Sequence, residues 1–344
     1  MVDDAPLAGL KVIDLTRLLP GPLATRQLVH WGAEVIKVED PDSGDGTRHM
    51  LLSVEDRVRD TESGLFLHLN EGKRQVRIDL RTEAGRAELI ELVRDADALV
   101  EGFRPGVMDR LGVGWSVLSA INPRLVMCAI TGYGQHGPYA ERAGHDINYV
   151  ALAGVLGQIG PPDGDPVVPN FQIADLMGGT QSALSGLLAG LLGAQRTGRG
   201  RFVDISMTRQ VWEHHVIARF EARAFGRATR AGRGLLSGGS PCYNVYRTAD
   251  DRHLAVGALE LKFWQKLCEV VARPEWAERH WSLGQMPGGA DAVALRAELG
   301  AVIAQHPLAH WEPLFEAADC CVTPVLRLEE VPRHPWFDST DGAA

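Results

Sequence analysis

The chain is short of pairable cysteines, of long apolar runs and of positive charge. Its five cysteines, at 128, 242, 268, 320 and 321, are odd in number and form no CxxC. That pattern argues against a disulfide framework and a cysteine-based zinc site, and reads as a reduced, cytoplasmic protein. The best membrane-span candidate, 182–193, is too short and too rich in Gly and Ala, so no membrane is expected as a partner. The start, MVDDAPLAGLKVIDL, is acidic and lacks the apolar run of a secretion signal. A net charge of −9 makes nucleic acid an improbable partner, although a local basic patch remains compatible with it. Short motifs are missing too. No GxGxxG links a strand to a helix, since GVLGQIG (154–160) follows a helical pattern, and no Walker loop, GxSxG elbow or HExxH occurs. No metal is expected.

What is present is an alternation of β-branched runs with helical patterns. KVIDL (11–15), EVIKVE (34–39) and RQVRIDL (74–80) read as strands, and 21–32 and 83–96 as helices. ALVEGF (98–103), LVMCAITGYG (125–134) and VDISM (203–207) continue the series, with a long helix from Leu176 to about Gln195. The order predicts an α/β fold with a parallel sheet covered by helices, and ligands outside the carboxyl ends of its strands. After 225 the texture changes. GRATRAGRGLLSGGSP (226–241) reads as a mobile loop or linker, followed by a hairpin turning at ADDR and helices at 261–272 and 293–305. The predicted division is a large Rossmann-like domain over 1–225, a smaller α+β domain over 226–310, and a return segment over 311–344. A chain of 344 residues is long enough for this.

Basic residues punctuate loops near strand ends: Arg48 in DGTRHM, Lys73 and Arg74 in LNEGKRQV, and Arg104 in EGFRPG. Phosphates need such charge together with exposed N–H groups, whereas surface solvation explains any one of them equally well. His145 and Asp146 precede one apolar helix, with Asp146 a candidate N-cap. Asp175 lies near the first turn of another. Capping is the commoner role for such aspartates, and His145 fits a core position equally well.

The block GLKVIDLTRLLPGPLATRQLVHWGAEVIKVED resembles the N-terminal signature of the family III CoA-transferases (CaiB/BaiF). That group contains formyl-CoA transferase, carnitine CoA-transferase and α-methylacyl-CoA racemase. LNEGKRQVRIDL, ALVEGFRPGVMDRLGVGW, ITGYGQHGPYAERAGHDINYVALAG, IADLMGG and TGRGRFVDISM extend the likeness in order. GHDINY, ADLMGG and YNVYRTADDRHLAVGALELKFW look most like the racemase branch. The resemblance implies a Rossmann-like domain, a smaller domain and an interlocked homodimer, with a heteromer left open. It places a catalytic histidine on His145, a catalytic aspartate on Asp175 and a glutamate orienting the histidine on Glu260. It implies coenzyme A, as part of the substrate, as the only cofactor-like group. The CoA contacts it implies are Arg17 and Leu18, then Arg48, Lys73, Arg74 and Arg104 near phosphates, and Asp146 and Tyr149 beside the thioester arm. Two departures stand out. Glu71 is acidic where an uncharged or basic residue is usual, and the chain ends at HPWFDSTDGAA, ahead of a further segment that relatives pack on the partner subunit.

Inverting a carbon beside a thioester requires one group to remove a proton and another to return one on the opposite face. A neutral imidazole and a carboxylic acid can exchange these roles. The expected activity is therefore racemisation of 2-methylacyl-CoA thioesters by His145 and Asp175 through an enolate. The start of the Asp175 helix, with Gly178 and Gly179, would offer N–H groups to the enolate oxygen. In the transferase alternative Asp175 acts alone, as a nucleophile carrying CoA, and the loop 232–240 closes over it. A non-catalytic CoA-binding subunit is the third reading.

Overall fold

The computed structural model describes residues 5–59 and 61–338. Residues 1–4, 60 and 339–344, which include the acidic start and the last residues of the tail, lie outside the described residues. Two compact units emerge. The first comprises the chain up to Leu156 together with Val168–Ile217, and the second comprises Gly157–Val167 together with the chain from Ala218 onward.

The first unit is built on six strands: β1 (Lys11–Asp14), β2 (Glu34–Glu39), β3 (Arg74–Arg77), β4 (Ala98–Glu101), β5 (Val126–Thr131) and β6 (Arg201–Ser206). They hydrogen-bond in the order β3-β2-β1-β4-β5-β6, every pair parallel. This is the doubly wound order, whose direction of winding reverses between β1 and β4. Period-two alternation assigns the faces. Val12, Val35, Val100 and Val126 point into one core, and Ile13, Ile36, Leu99 and Met127 into the other. The first core is closed by α1 (Pro20–His30), the second by α2 (Glu83–Val93). Proline at the start suits α1, while the Thr82 hydroxyl caps α2 by accepting from Gly85 N–H at 3.0 Å.

The long apolar helix begins differently from its sequence pattern. Residues Ala174–Gln181 form a π-helix, which passes into the regular α4 (Ser182–Thr197) after the short α3 (Asp146–Leu152) earlier in the chain. Such wide turns recur at functional sites. Gly198, at φ 70°, ends α4 in the left-handed conformation that glycine adopts without strain. Strand β6 then feeds α5 (Met207–His214).

The second unit holds a three-stranded antiparallel sheet, β7 (Tyr243–Arg247), β8 (His253–Gly257) and β9 (Val322–Pro324). Helices α6 (Leu261–Val270), α7 (Ala290–Ile303) and α8 (Leu308–Ala318) supply a core around Trp264, Leu299, Trp311 and Phe315. The predicted hairpin is present. Of the segment 311–344 expected to return to the large domain, the described residues up to 338 belong to the second unit instead, where β9 completes the small sheet and Phe315 joins its core. The Gly-rich segment 226–241 is pinned rather than free. Gly238 O accepts from Asn244 Nδ2 at 2.7 Å and Arg296 Nη1 at 2.9 Å, and Gly239 O from Gly288 N–H at 2.8 Å.

Candidate functional site

At the carboxyl edge of the large sheet, the loops after β1, β4 and β5 surround a cavity of about 540 Å³. Its wall includes Arg17, Leu18, Arg104, Tyr133, His145, Tyr149 and Asp175. A neighbouring cavity of about 510 Å³ shares Arg17, Gly102, Phe103 and Arg104 with it. Their position beside β1 and β4 is the switch point of the sheet, where open α/β folds bind ligands.

Asp175 reaches this wall from the second position of the π-helix. Burial pushes its carboxyl up to about 6; the negative charge of Asp146 acts in the same direction, and His145 pulls it down. Asp146 does not cap its own helix. His145 is the N-cap of α3, with its backbone N–H donating to Asn148 Oδ1 at 3.0 Å. Asp146 Oδ1 instead accepts from Ala174 N–H at 2.6 Å and Asp175 N–H at 2.9 Å. One carboxylate thus satisfies two orphan donors of the π-helix and ties the aspartate and the histidine to one scaffold.

That arrangement changes the expected oxyanion site. The N–H groups of Ala174 and Asp175 are taken by Asp146, and that of Leu176 by Gln172 O at 2.9 Å. Gly178 and Gly179 are buried and are absent from the cavity wall. A Cβ on Gly178 would lie 2.8 Å from Met207 O, and one on Gly179 would lie 2.7 Å from Pro20 Cβ. These glycines let the π-helix press against α5 and α1 instead of presenting donors to a ligand.

Tyr149 is buried. Its hydroxyl donates to Gly144 O, its ring meets Tyr133 edge-on at 5.1 Å, and burial pushes its phenol up to about 12. It lines the cavity as a neutral, already hydrogen-bonded ring. Leu18 projects into the same wall with φ 67°, a strained value for leucine, held by its N–H on Asp45 Oδ1 at 3.1 Å.

The expected phosphate ligands separate into two sets. Arg17 and Arg104 are exposed on the cavity wall, and neither has an ion-pair partner among the described residues. Arg48 and Lys73 are both buried and committed to the protein. Arg48 forks onto Glu39 at 2.6 and 2.9 Å, also pairs with Glu62, and holds its Cζ 3.7 Å over the Phe66 ring. Lys73 spends its three donors on Asp14 Oδ2 at 3.0 Å, Pro22 O at 2.8 Å and Asn70 Oδ1 at 3.0 Å. Arg74 is half exposed, 3.8 Å from Glu34, and lines neither cavity. Glu71 pairs with Arg26 at 2.8 Å, so its charge is answered within the protein.

Three residues escaped the sequence reading. Arg142 joins Arg17 and Arg104 on the wall, with its guanidinium 4.4 Å over Tyr139; its place three residues before His145 was the available signal. Lys37 is fully buried in β2 and donates to Asp45 Oδ2 and Thr16 O, both at 2.9 Å. A lysine inside an otherwise buried strand was its signal. Glu101 ends β4, where its carboxylate accepts from Phe103 N–H at 2.6 Å and burial pushes its pKa up to about 7. Glu260 is exposed at the N-cap of α6 in the second unit. Among the described residues no group of three or more His, Cys, Asp or Glu is placed to hold a metal ion, and no helix is long and apolar enough to cross a membrane.

Arg17, Arg104 and Arg142, none ion-paired among the described residues, bring positive charge to a cavity that also holds the Asp175 carboxyl, a combination suited to a polyanionic ligand. Comparison with known proteins agrees with that chemistry. The chain is 33% identical over 336 residues to alpha-methylacyl-CoA racemase of Homo sapiens, covering 95% of this chain and 80% of that protein. It is 34% identical over 333 residues to succinyl-CoA:glutarate CoA-transferase of Mus musculus, covering 95% and 73%. The crystal structure of Rv3272 from Mycobacterium tuberculosis superposes with a TM-score of 0.80 at 30% identity, covering 98% of this chain and 88% of that one. That protein is named a probable fatty acyl-CoA transferase. A family model described as CoA-transferase family III matches residues 7–343, and the chain belongs to that family.

Proposed function

We propose that this chain moves CoA from an acyl-CoA to a free carboxylic acid, with Asp175 as the nucleophile. The observation that carries the reading is Asp175 itself. Its half-buried carboxyl, with a pKa raised to about 6, stands on the wall of a cavity that also carries Arg17, Arg104 and Arg142, none of them ion-paired among the described residues. A carboxylate of raised pKa is the more basic nucleophile once ionised. Attack on the thioester carbonyl expels CoA thiolate and forms a mixed anhydride. The thiolate then attacks the aspartyl carbonyl of that anhydride, releasing the first acid and leaving an aspartyl-CoA thioester. An incoming carboxylate repeats both steps in reverse and leaves with CoA, and Asp175 is regenerated. Arg17, Arg104 and Arg142 would hold the phosphates throughout. This route needs only groups that the large unit supplies. The named transferases among the relatives support it.

Racemisation is the second reading, favoured by the presence of His145 and Asp175 on one cavity wall and by the racemase among the relatives. It requires Glu260 of the second unit to orient His145. An interlocked homodimer accompanies either reading as part of the proposal.

The two separate in one assay. The protein is incubated with an enantiomer of a 2-methylacyl-CoA in deuterated buffer, with and without an acceptor acid. Transfer of CoA to the acceptor, lost in Asp175→Ala and largely kept in His145→Ala, is the expected result. Exchange of the α-proton with loss of optical activity, abolished by His145→Ala, overturns it in favour of racemisation.

A further inference from the structure

Beside the cavity that holds Asp175 lies a third one, of about 250 Å³, with a different lining. Ile147 and Val150 of α3 face it, together with Leu156, Val168 and Pro169. It shares His145 with the larger cavity, whose wall also carries Asp175. Polar groups on the wall are His145, Gln172 and Asp146, and Asp146 is already engaged by two N–H groups. Among the described residues no lysine or arginine lines it.

We propose that this cavity is the acyl subsite, and that it selects an uncharged aliphatic acyl chain over one ending in a second carboxylate. The inference rests on the acyl-CoA reading above and adds the substrate class. Apolar walls gain from each buried methylene, whereas a terminal carboxylate would lose its hydration there, next to the Asp146 charge and without a cation to answer it. An apolar cavity of about 150 Å³ accommodates a benzene ring, so this volume scales to roughly ten carbon atoms. The acyl chain sets the occupant: it is the part of the substrate that must lie near both His145 and Asp175.

Binding tests the subsite independently of turnover. Octanoyl-CoA, succinyl-CoA and CoA are titrated calorimetrically into the full-length Asp175→Ala protein, which cannot react. A buried methylene is worth roughly fourfold in affinity, so octanoyl-CoA should bind at least about tenfold tighter than succinyl-CoA. Val168 is 64% exposed, so Val168→Arg adds a cation at the rim without disturbing the core. It should shrink that ratio by about tenfold. Equal binding of the two thioesters, or a ratio unmoved by Val168→Arg, overturns the subsite. Transfer by the wild-type protein is measured alongside with both thioesters. Selective binding without CoA transfer sinks the transferase reading and leaves the subsite standing. Transfer without selective binding does the reverse.

Discussion

Removing the Asp146 side chain should weaken the fold and the site together, in a way that two substitutions can separate. Asp146 Oδ1 accepts from Ala174 N–H at 2.6 Å and from Asp175 N–H at 2.9 Å, tying α3 to the π-helix across 28 and 29 residues of chain. Charge-assisted caps of this kind are worth about 1–2 kcal/mol, and two donors sharing one carboxylate place the loss in Asp146→Ala near 2 kcal/mol. For a domain of this size each kcal/mol lowers Tm by about 2–4 °C, so the variant should melt roughly 4–8 °C lower. Asp146→Asn keeps an oxygen acceptor and should lose less than half as much. Both substitutions delete the charge that helps raise the Asp175 carboxyl, so the acidic limb of the pH–rate profile should move to lower pH in both. Calorimetric melting and a pH profile of kcat/KM measure the two effects. Melting of Asp146→Ala within about 1 °C of wild type would refute the role assigned to the cap.

Lys73→Met should cost about 3–5 kcal/mol in a denaturant melt, because Asp14 would be left buried without that partner. A phosphate-binding role would instead weaken CoA binding at unchanged stability. Burial alone raises the Asp14 carboxyl, but Lys73, Lys37 and the Thr16 and Thr25 hydroxyls outweigh it and hold it well below its ordinary 3.8. Its stabilisation is therefore complete above pH 3.8 and should fade as acid takes the pH through the lower folded value, in an acid titration followed by circular dichroism. Asp175 has the opposite sign. Its folded pKa of about 6 lies above the ordinary 3.8, so the folded chain binds more protons between these values and ionised Asp175 costs stability above them. Asp175→Asn should therefore stabilise the protein at pH 8 by about 1–2 kcal/mol, with the gain gone below about pH 4, as read by melts at both pH values.

The doubly wound sheet was legible because each strand carries its own signal. Val12–Ile13 and Val35–Ile36 show the paired apolar residues of a strand buried on both faces. The strand order follows from long-range pairing that no local pattern encodes. The same limit hid β9, whose three residues pair with a strand about seventy positions earlier. Asp175 and His145 were legible as candidates because they stand at helix starts. The fate of the basic residues was not. Arg48 and Arg104 look alike beside their glycines, yet one is answered by Glu39 and the other faces a cavity. A sequence shows a cation but not whether its anion is a protein carboxylate or a ligand phosphate. The π-helix was equally hidden, since ADLMGGTQ has the composition of an ordinary helix start, and it is this wide turn that carries Asp175 to the cavity wall.

The most direct test of the central claim is to look for CoA bound covalently to Asp175. The protein is mixed with octanoyl-CoA without an acceptor acid, quenched, and its peptides are analysed by mass spectrometry with and without hydroxylamine. The account predicts a CoA adduct on the peptide containing Asp175, cleaved by hydroxylamine and missing in Asp175→Asn. A protein that turns over acyl-CoA at full rate with no adduct on that peptide would contradict it.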